Sequence, residues 1–563
     1  MYATAIMAQL LHKRRATLYT YPGGTIAPLY HECQRLAVPI LCGRSEQGAG
    51  YMAIAEAQLT GKATFVAVTS GPGATNLATC IADAWYDSTP LIAITGQVGT
   101  ADLQRSPELR QRGFQEVPVP ELMRSICKQV FQPHTPKELA QTMAEAVQLA
   151  ESGRPGPVVI DLPMSVQLQQ PEPMPTLPQM AVDATPMPSP ALDEVLRCLH
   201  TARRPLLLVG AGAKKHSAAV RRLAQAWQLP AVATVRGLGV LPGDHPLHLG
   251  WIGHTGLPWA NWALGEADLL LVLGSRLDVR QTGTCTDLFA AKTIIHVDLD
   301  PAELEQGRFS HILAVHGDIQ EVAPALTAAA SASADRWSSW QQELEAARRR
   351  FPLQDYGQAD GVRPDRLLQQ VDQLTAGRPL MVTSGVGSHQ QWVARYLTFD
   401  FPKRQLFASA GHGTMGFCLP AAIGLQRQLP DRLVLAIDGD GSFQMNLQEL
   451  MLLRQLQLPV KILLLDNQRL GIVSQFQQIT FQSDPVTGDF PSPDFCAIAH
   501  AYGLAAWEMH QLDVALLRRW LDSEGPAMLR VHVQHDAPVS PMLLAGQAPG
   551  EMWYQYPWEK RHD

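Results

Sequence analysis

The 563-residue sequence predicts an α/β protein built from three doubly wound parallel-sheet domains in tandem. Three observations carry that expectation. Short apolar runs rich in Val, Ile and Leu recur, each closing on a Gly- or Asp-containing turn and passing into a helical pattern, as strands of a parallel sheet covered on both faces do. The runs fall into three blocks, and the chain is too long for a single hydrophobic core. A proline-rich stretch parts the first block from the second.

The first block holds TFVAVTSGPG, PLIAITGQ and GPVVIDLP; the second PLLLVGAG, ADLLLVLGSR, TIIHVDLD and ILAVHGD; the third RLVLAIDGDG and VKILLLDNQ. Ligands of such sheets sit beyond the carboxyl ends of the strands, where these Gly, Asp, Asn and Ser residues fall. The prolines between Pro171 and Pro190 disfavour regular structure. Residues 1–168 therefore read as the first domain, 169–190 as a linker and 191–328 as the middle domain. ASASADRWSSWQQELEAARRRFP reads as a surface helix stopping near Pro352, within a second linker at 329–363. A helix opening at Pro364 begins the third domain, 364–536, which a tail, 537–563, follows.

Hydrophobic residues make up 46% and charged residues 17%, the composition of a folded globular chain. A net charge of -7 without long basic runs argues against nucleic acid or an anionic membrane as the main partner and favours small molecules. The eight cysteines form no CxxC pair, which suggests reduced thiols and no zinc site. In the opening MYATAIMAQLLHKRR the basic cluster follows the apolar residues, the reverse of a secretion signal, and no stretch is long enough to span a bilayer, so a cytoplasmic location is expected.

The sharpest local feature is Gly439-Asp440-Gly441-Ser442 at the end of RLVLAI, with Asn467 at the end of the next run, 27 positions after Asp440. One strand–helix–strand crossover needs about that many residues, so both side chains can reach one point. A carboxylate and an amide oxygen beside phosphate oxygens suit magnesium. The glycines let backbone N–H groups approach a phosphate at a helix start. GDGS alone is weak, because Asp-Gly turns end many strands.

GDGSFQMNLQEL with LLLDNQRLGIV resembles the thiamin-diphosphate signature, in which Asp440, Asn467 and the main-chain carbonyl of Arg469 would hold magnesium. Such a cofactor needs a buried acid against its aminopyrimidine ring. RSEQGAGYMA, with Glu46, resembles the segment that supplies it, although Glu46 alone would read as an ordinary acid at a helix start. YPGGTIAPLY, TSGPGATN, GQV at Gly96, Phe114-Gln115-Glu116 and GTMGFCLPAAIG extend the likeness. Over nearly its whole length the chain resembles the acetohydroxyacid (acetolactate) synthase catalytic subunit.

The resemblance implies a carboligase that decarboxylates pyruvate and joins the two-carbon unit to a second 2-oxo acid in branched-chain amino acid biosynthesis. It implies Glu46, Gly24, Gln115, Lys128 and Met415 at the reaction centre, with Met415 bending the cofactor. Pro72 and Asn76 would contact the pyrimidine side. Val386, Gly387, Ser388, His389, Gly413, Gly439, Gly441, Ser442, Leu470 and Gly471 would hold the rest of the cofactor. Phe114, Arg280 and Phe476 would meet substrate, Arg280 through the acceptor carboxylate. A structural FAD is implied at Gly212, Gly237, His254, Gly274, Arg276, Asp278, Arg280, Asp298 and Asp318; by themselves these are also the turns of any doubly wound domain. The implied assembly is a homodimer or homotetramer with the cofactor between subunits, joined by a small regulatory subunit.

Several positions depart from the synthase pattern: Ser45 before the glutamate, Thr25 in YPGGT, RQRGFQE ahead of Glu116, Val279, Ser388, and Phe476 where a Trp is usual. These leave room for another thiamin-diphosphate decarboxylase, lyase or acetyltransferase, or for a catalytically altered nucleotide-binding partner subunit.

Overall fold

A computed structural model describes residues 1–178, 189–330, 336–353, 355–357, 359–483, 485–486 and 489–552. Residues 179–188 of the proline-rich linker and the final WYQYPWEKRHD lie outside the described residues. The chain forms three six-stranded sheets, and every strand pair is parallel.

The first sheet holds β1 Leu18–Thr20, β2 Ile40–Cys42, β3 Thr64–Val68, β4 Leu91–Gln97, β5 Gln129–Phe131 and β6 Pro157–Pro163, in the order β2-β1-β3-β4-β6-β5. The middle sheet holds β7 Pro205–Val209, β8 Ala231–Ala233, β9 His248–Trp251, β10 Leu269–Leu273, β11 Thr293–Asp298 and β12 Ile312–His316, in the order β12-β11-β10-β7-β8-β9. The third holds β13 Leu380–Ser384, β14 Arg404–Ala408, β15 Leu433–Gly439, β16 Lys461–Asp466, β17 Ala505–Met509 and β18 Ala527–His532, in the order β14-β13-β15-β16-β18-β17. In each, the strand order reverses beside the first strand, and the loops there open the crevice that ligands of such sheets use.

The third sheet joins the other two. Successive side chains of a strand point to opposite faces. Leu435, Ile437, Leu463 and Leu465 belong to a core that continues into the middle domain through Trp392 and Trp251. Their neighbours Val434, Ala436, Ile462 and Leu464 belong to a second core that continues into the first domain through Phe417, Tyr51 and Met52. Burial of each such large side chain contributes roughly 1.5–3 kcal/mol, so both contacts are firm.

The expected helix before Pro352 runs from Ser338 to Arg350. It is more than a surface helix: Trp340 is fully buried and its indole N–H donates to the Pro205 carbonyl (3.1 Å), tying the segment to the start of β7. The helix expected at Pro364 spans Pro364–Leu374 with proline in its first turn, where a missing N–H costs nothing.

Candidate active site

Strand register brings the two candidate metal ligands together. Gly439 of β15 pairs with Leu465 of β16, so Asp440, one residue on, and Asn467, two residues on, emerge side by side. Both are buried and both line one cavity of about 270 Å³. Arg469 lines it as well; its guanidinium is turned to Asp536, which leaves the main chain at this position for a ligand role. The same walls hold Val386, Gly387, Ser388, His389, Gly413, Met415, Gly439, Gly441, Ser442, Leu470 and Gly471, drawn from the loops after β13, β14, β15 and β16. The His389 ring faces the Asp438 carboxylate at 3.2 Å.

Asp440 is electrostatically exposed to need. Burial, and after it the nearby Asp466 carboxylate, push its pKa up to about 7. Ser492 Oγ lies 3.0 Å from Asp440 Oδ2 and 2.8 Å from Asp466 Oδ1, and its single proton can serve only one of them. Asp466 is neutralised by Arg530, whose Nε and Nη2 reach its Oδ2 at 2.8 and 2.6 Å. Among the described residues no Lys or Arg pairs with Asp440. A buried carboxylate with no cation, beside an amide and a cluster of glycines at strand ends, fits a hard divalent ion carrying phosphate oxygens.

The second group of predicted residues gathers at the carboxyl end of the first sheet. Glu46, buried, is the first residue of the helix Glu46–Thr60, whose N-cap Ser45 accepts a hydrogen bond from the Gly48 N–H at 2.9 Å. Asn76 Nδ2 donates to Glu46 Oε2 at 3.1 Å. Asn76 comes from the helix Pro72–Tyr86, which starts with Pro72. Gln115, with φ of 60°, packs its backbone and Cβ over Gly71 at the amino end of that helix. Gly24 opens onto free space, and Phe114 is 85% exposed. The loops are laced together by Thr25 Oγ1, 2.9 Å from Thr69 Oγ1 and accepting from the Ser70 N–H at 2.8 Å.

The Glu46 turn is anchored by the third domain. Glu449, fully buried, accepts the Arg44 N–H at 2.9 and 3.1 Å through its two oxygens, and Ser45 Oγ lies 3.4 Å away. Burial pushes the Glu449 carboxyl up to about 7. Gly48 must lack a side chain, because a Cβ there would stand 2.0 Å from Glu449 Oε1.

Three family models match in succession: the thiamine pyrophosphate enzyme N-terminal TPP binding domain over residues 1–122, the central domain over 192–326, and the C-terminal TPP binding domain over 385–531. The chain is 38% identical over 556 residues to the acetolactate synthase isozyme 2 large subunit of Escherichia coli (strain K12), covering 96% of this chain and 98% of that protein. The chain belongs to the acetolactate synthase large-subunit family. It is likewise 36% identical to acetolactate synthase 1, chloroplastic, of Zea mays, over 95% of this chain and 86% of that one. Against acetolactate synthase, chloroplastic, of Arabidopsis thaliana the identity is 35%, over 94% and 81%. It is a thiamin-diphosphate-dependent enzyme of the transferase type.

In this synthase-family chain the Glu46 group does not line the Asp440 cavity. Among the described residues, those lining the Asp440 cavity come from the third and middle domains alone. The first domain reaches only its outer wall: Asp83 accepts from Ser409 Oγ at 2.7 Å, and Asp87 accepts the Ala410 and Gly411 N–H groups at 3.1 and 2.9 Å. Burial, then the neighbouring Asp87, push Asp83 up to about 8.

The middle domain sends His254 and Arg280 into the cavity wall, the His254 N–H bonding the Arg280 carbonyl at 2.7 Å. Its other candidates fall at or just after the carboxyl ends of β7, β8, β10, β11 and β12. The turns after β7 and β10 touch there, since a Cβ on Gly274 would stand 2.8 Å from the Gly212 Cα. Arg276 pairs with Asp278 at 3.1 Å, and Asp278 caps the next turn through the Arg280 N–H at 2.8 Å. Asp298 ends β11, its carboxyl raised by burial, and Asp318 caps the helix Ile319–Ala328. Gly237 abuts the Val209 carbonyl, where a Cβ would sit at 2.2 Å.

Lys128 is placed elsewhere. Its ammonium donates to the carbonyls of Leu149, Ser152 and Arg154 at 2.6, 2.9 and 3.0 Å, which uses all three protons to close the carboxyl end of the helix Pro136–Glu151. That corrects the expectation of a reaction-centre lysine. Phe476 is 60% exposed on the helix Gly471–Phe481, edge-on to Phe481. Sequence reading missed Asp466, Ser492, Arg530 and Glu449. Asp466 alone had a signal, as the residue before Asn467 in LLLDN.

Proposed function

We propose that this enzyme is an acetolactate synthase-type carboligase, releasing carbon dioxide from pyruvate and joining the remaining two carbons to a second 2-oxo acid, the step that opens branched-chain amino acid synthesis. The observation that carries the reading is the arrival of Asp440 and Asn467 from adjacent strand ends at one cavity. Bound thiamin diphosphate supplies the electron sink for breaking and making the bond beside the carbonyl.

The chain's own residues do the rest. Asp440, Asn467 and the Arg469 carbonyl would hold magnesium, and with it the diphosphate. Met415, in the cavity wall, would pack against the cofactor, and Arg280 would receive the acceptor carboxylate as a charge-assisted pair. Glu46 holds a proton at the pyrimidine ring nitrogen, steadied by Asn76. Because Glu46 stands apart from this cavity, a second copy of the chain provides it, and a homodimer is the smallest working unit. The middle domain's strand-end turns would hold FAD in a structural role, and a small regulatory subunit would be the further partner. The domains divide as 1–168, 191–328 and 364–536, in a cytoplasmic protein; among the described residues no helix is long and apolar enough to cross a membrane.

Incubation of purified protein with pyruvate, magnesium and thiamin diphosphate, followed by product analysis, is expected to yield acetolactate. Acetaldehyde and carbon dioxide alone would replace this reading with a simple decarboxylase.

A further inference from the structure

The free edge of the third sheet carries a second constellation of metal-binding groups. In the β17–β18 pair, Glu508 lies opposite Arg530 and Met509 opposite Val531, so the next step sets His510, just past β17, beside His532. With a period of two, Glu508, His510 and His532 share one face at the carboxyl end of the edge. His532 Nε2 lies 2.6 Å from Glu508 Oε1, and His510 Nε2 lies 3.6 Å from Glu508 Oε2. The three potential ligand atoms all fall within 4.8 Å of one another, and none of the three residues lines the Asp440 cavity.

We propose that Glu508, His510 and His532 form a surface site for a divalent transition metal of the zinc, cobalt and nickel class. Two imidazoles and a carboxylate are a donor set for such ions and a poor one for magnesium, which takes oxygen ligands. Geometry agrees. The imidazole rings stack with centroids 4.2 Å apart and planes 9° from parallel. His510, 68% exposed, can swing until both Nε2 lone pairs point to one ion, with water completing the shell.

One cation stands nearby, and its charge is already committed. Arg530 Nη1 touches Glu508 Oε1 at 3.1 Å, but its Nε and Nη2 grip Asp466 at 2.8 and 2.6 Å. Glu508 thus keeps Oε2 for a metal. The rival role of these side chains is to charge an exposed sheet edge against pairing with another chain, which asks for no ion.

The test uses the full-length enzyme with magnesium and thiamin diphosphate saturating. Cobalt(II) is titrated in and its visible ligand-field band recorded, and zinc binding is measured by calorimetry, against His510→Ala/His532→Ala and the single exposed variant His510→Gln. The expected result is one equivalent per chain bound below about 100 µM, lost in the double variant, weakened at least tenfold in the single one, with acetolactate formation in magnesium alone unchanged in both. Equal stoichiometry and affinity in wild type and variants would overturn the proposal, since the ion would then sit on cysteines or elsewhere. Absence of binding in the wild type would overturn it too and leave the edge-charging role.

Discussion

Substituting alanine for Gly48 is the sharpest probe of how the first and third domains share the Glu46 turn. Its Cβ would stand 2.0 Å from Glu449 Oε1 and 2.5 Å from Cδ. That carboxylate cannot simply swing aside, because it is fully buried and accepts the Arg44 N–H through both oxygens. Overpacking of this kind costs about 1–3 kcal/mol. In a helix, alanine is otherwise better than glycine by roughly 0.5–1 kcal/mol. The sign should therefore depend on Glu449: Gly48→Ala destabilises the wild type and stabilises, or leaves unchanged, a Glu449→Ala background. The helix gain cancels between backgrounds, so denaturant midpoints of the four proteins of this double-mutant cycle, at one protein concentration, should give a coupling of about 1–3 kcal/mol, the overpacking cost itself. An equal cost of Gly48→Ala in both backgrounds would refute the claim that the carboxylate is what excludes a side chain there.

Glu46→Gln should lower kcat by roughly 10²–10⁴-fold, with an unshifted denaturant midpoint, as measured by acetolactate formation and unfolding on the same sample. Magnesium affinity should fall as pH drops below about 7, because an ion must displace the proton that burial and Asp466 keep on Asp440; calorimetric titrations between pH 6 and 8 check this, and a flat profile would contradict it. Burial lifts the Glu449 carboxyl from the ordinary 4.5 to about 7, so the folded state holds its proton longer and stability falls as pH rises between those values. Glu449→Gln should flatten that part of the stability curve.

Local pattern revealed the sheets and the meeting of Asp440 with Asn467 because each depends on short-range order. A crossover of fixed length puts Asp440 and Asn467 on adjacent strands whatever the rest of the chain does. Glu449 was illegible because it meets Arg44 across 405 positions, and only the packing of two domains brings them together. Ser492 and Arg530 reach Asp466 from a loop and a strand that carry no motif of their own. Lys128 was placed at the reaction centre by the resemblance alone, with no motif of its own, whereas three carbonyls at a helix end decide its place. The helix Ser338–Arg350 looked solvated by composition, and its Trp340 is what docks it.

The alternation along β15 has a consequence for how the chain tolerates error. Val434 and Ala436 answer to one neighbouring domain, Leu435 and Ile437 to the other. A slip of one residue would exchange the two sets wholesale and carry Asp440 off its level beside Asn467. The same shift that unseats Asp440 from its place beside Asn467 would thus unseat both interdomain contacts, so a misregistered third sheet loses its packing and its cavity together.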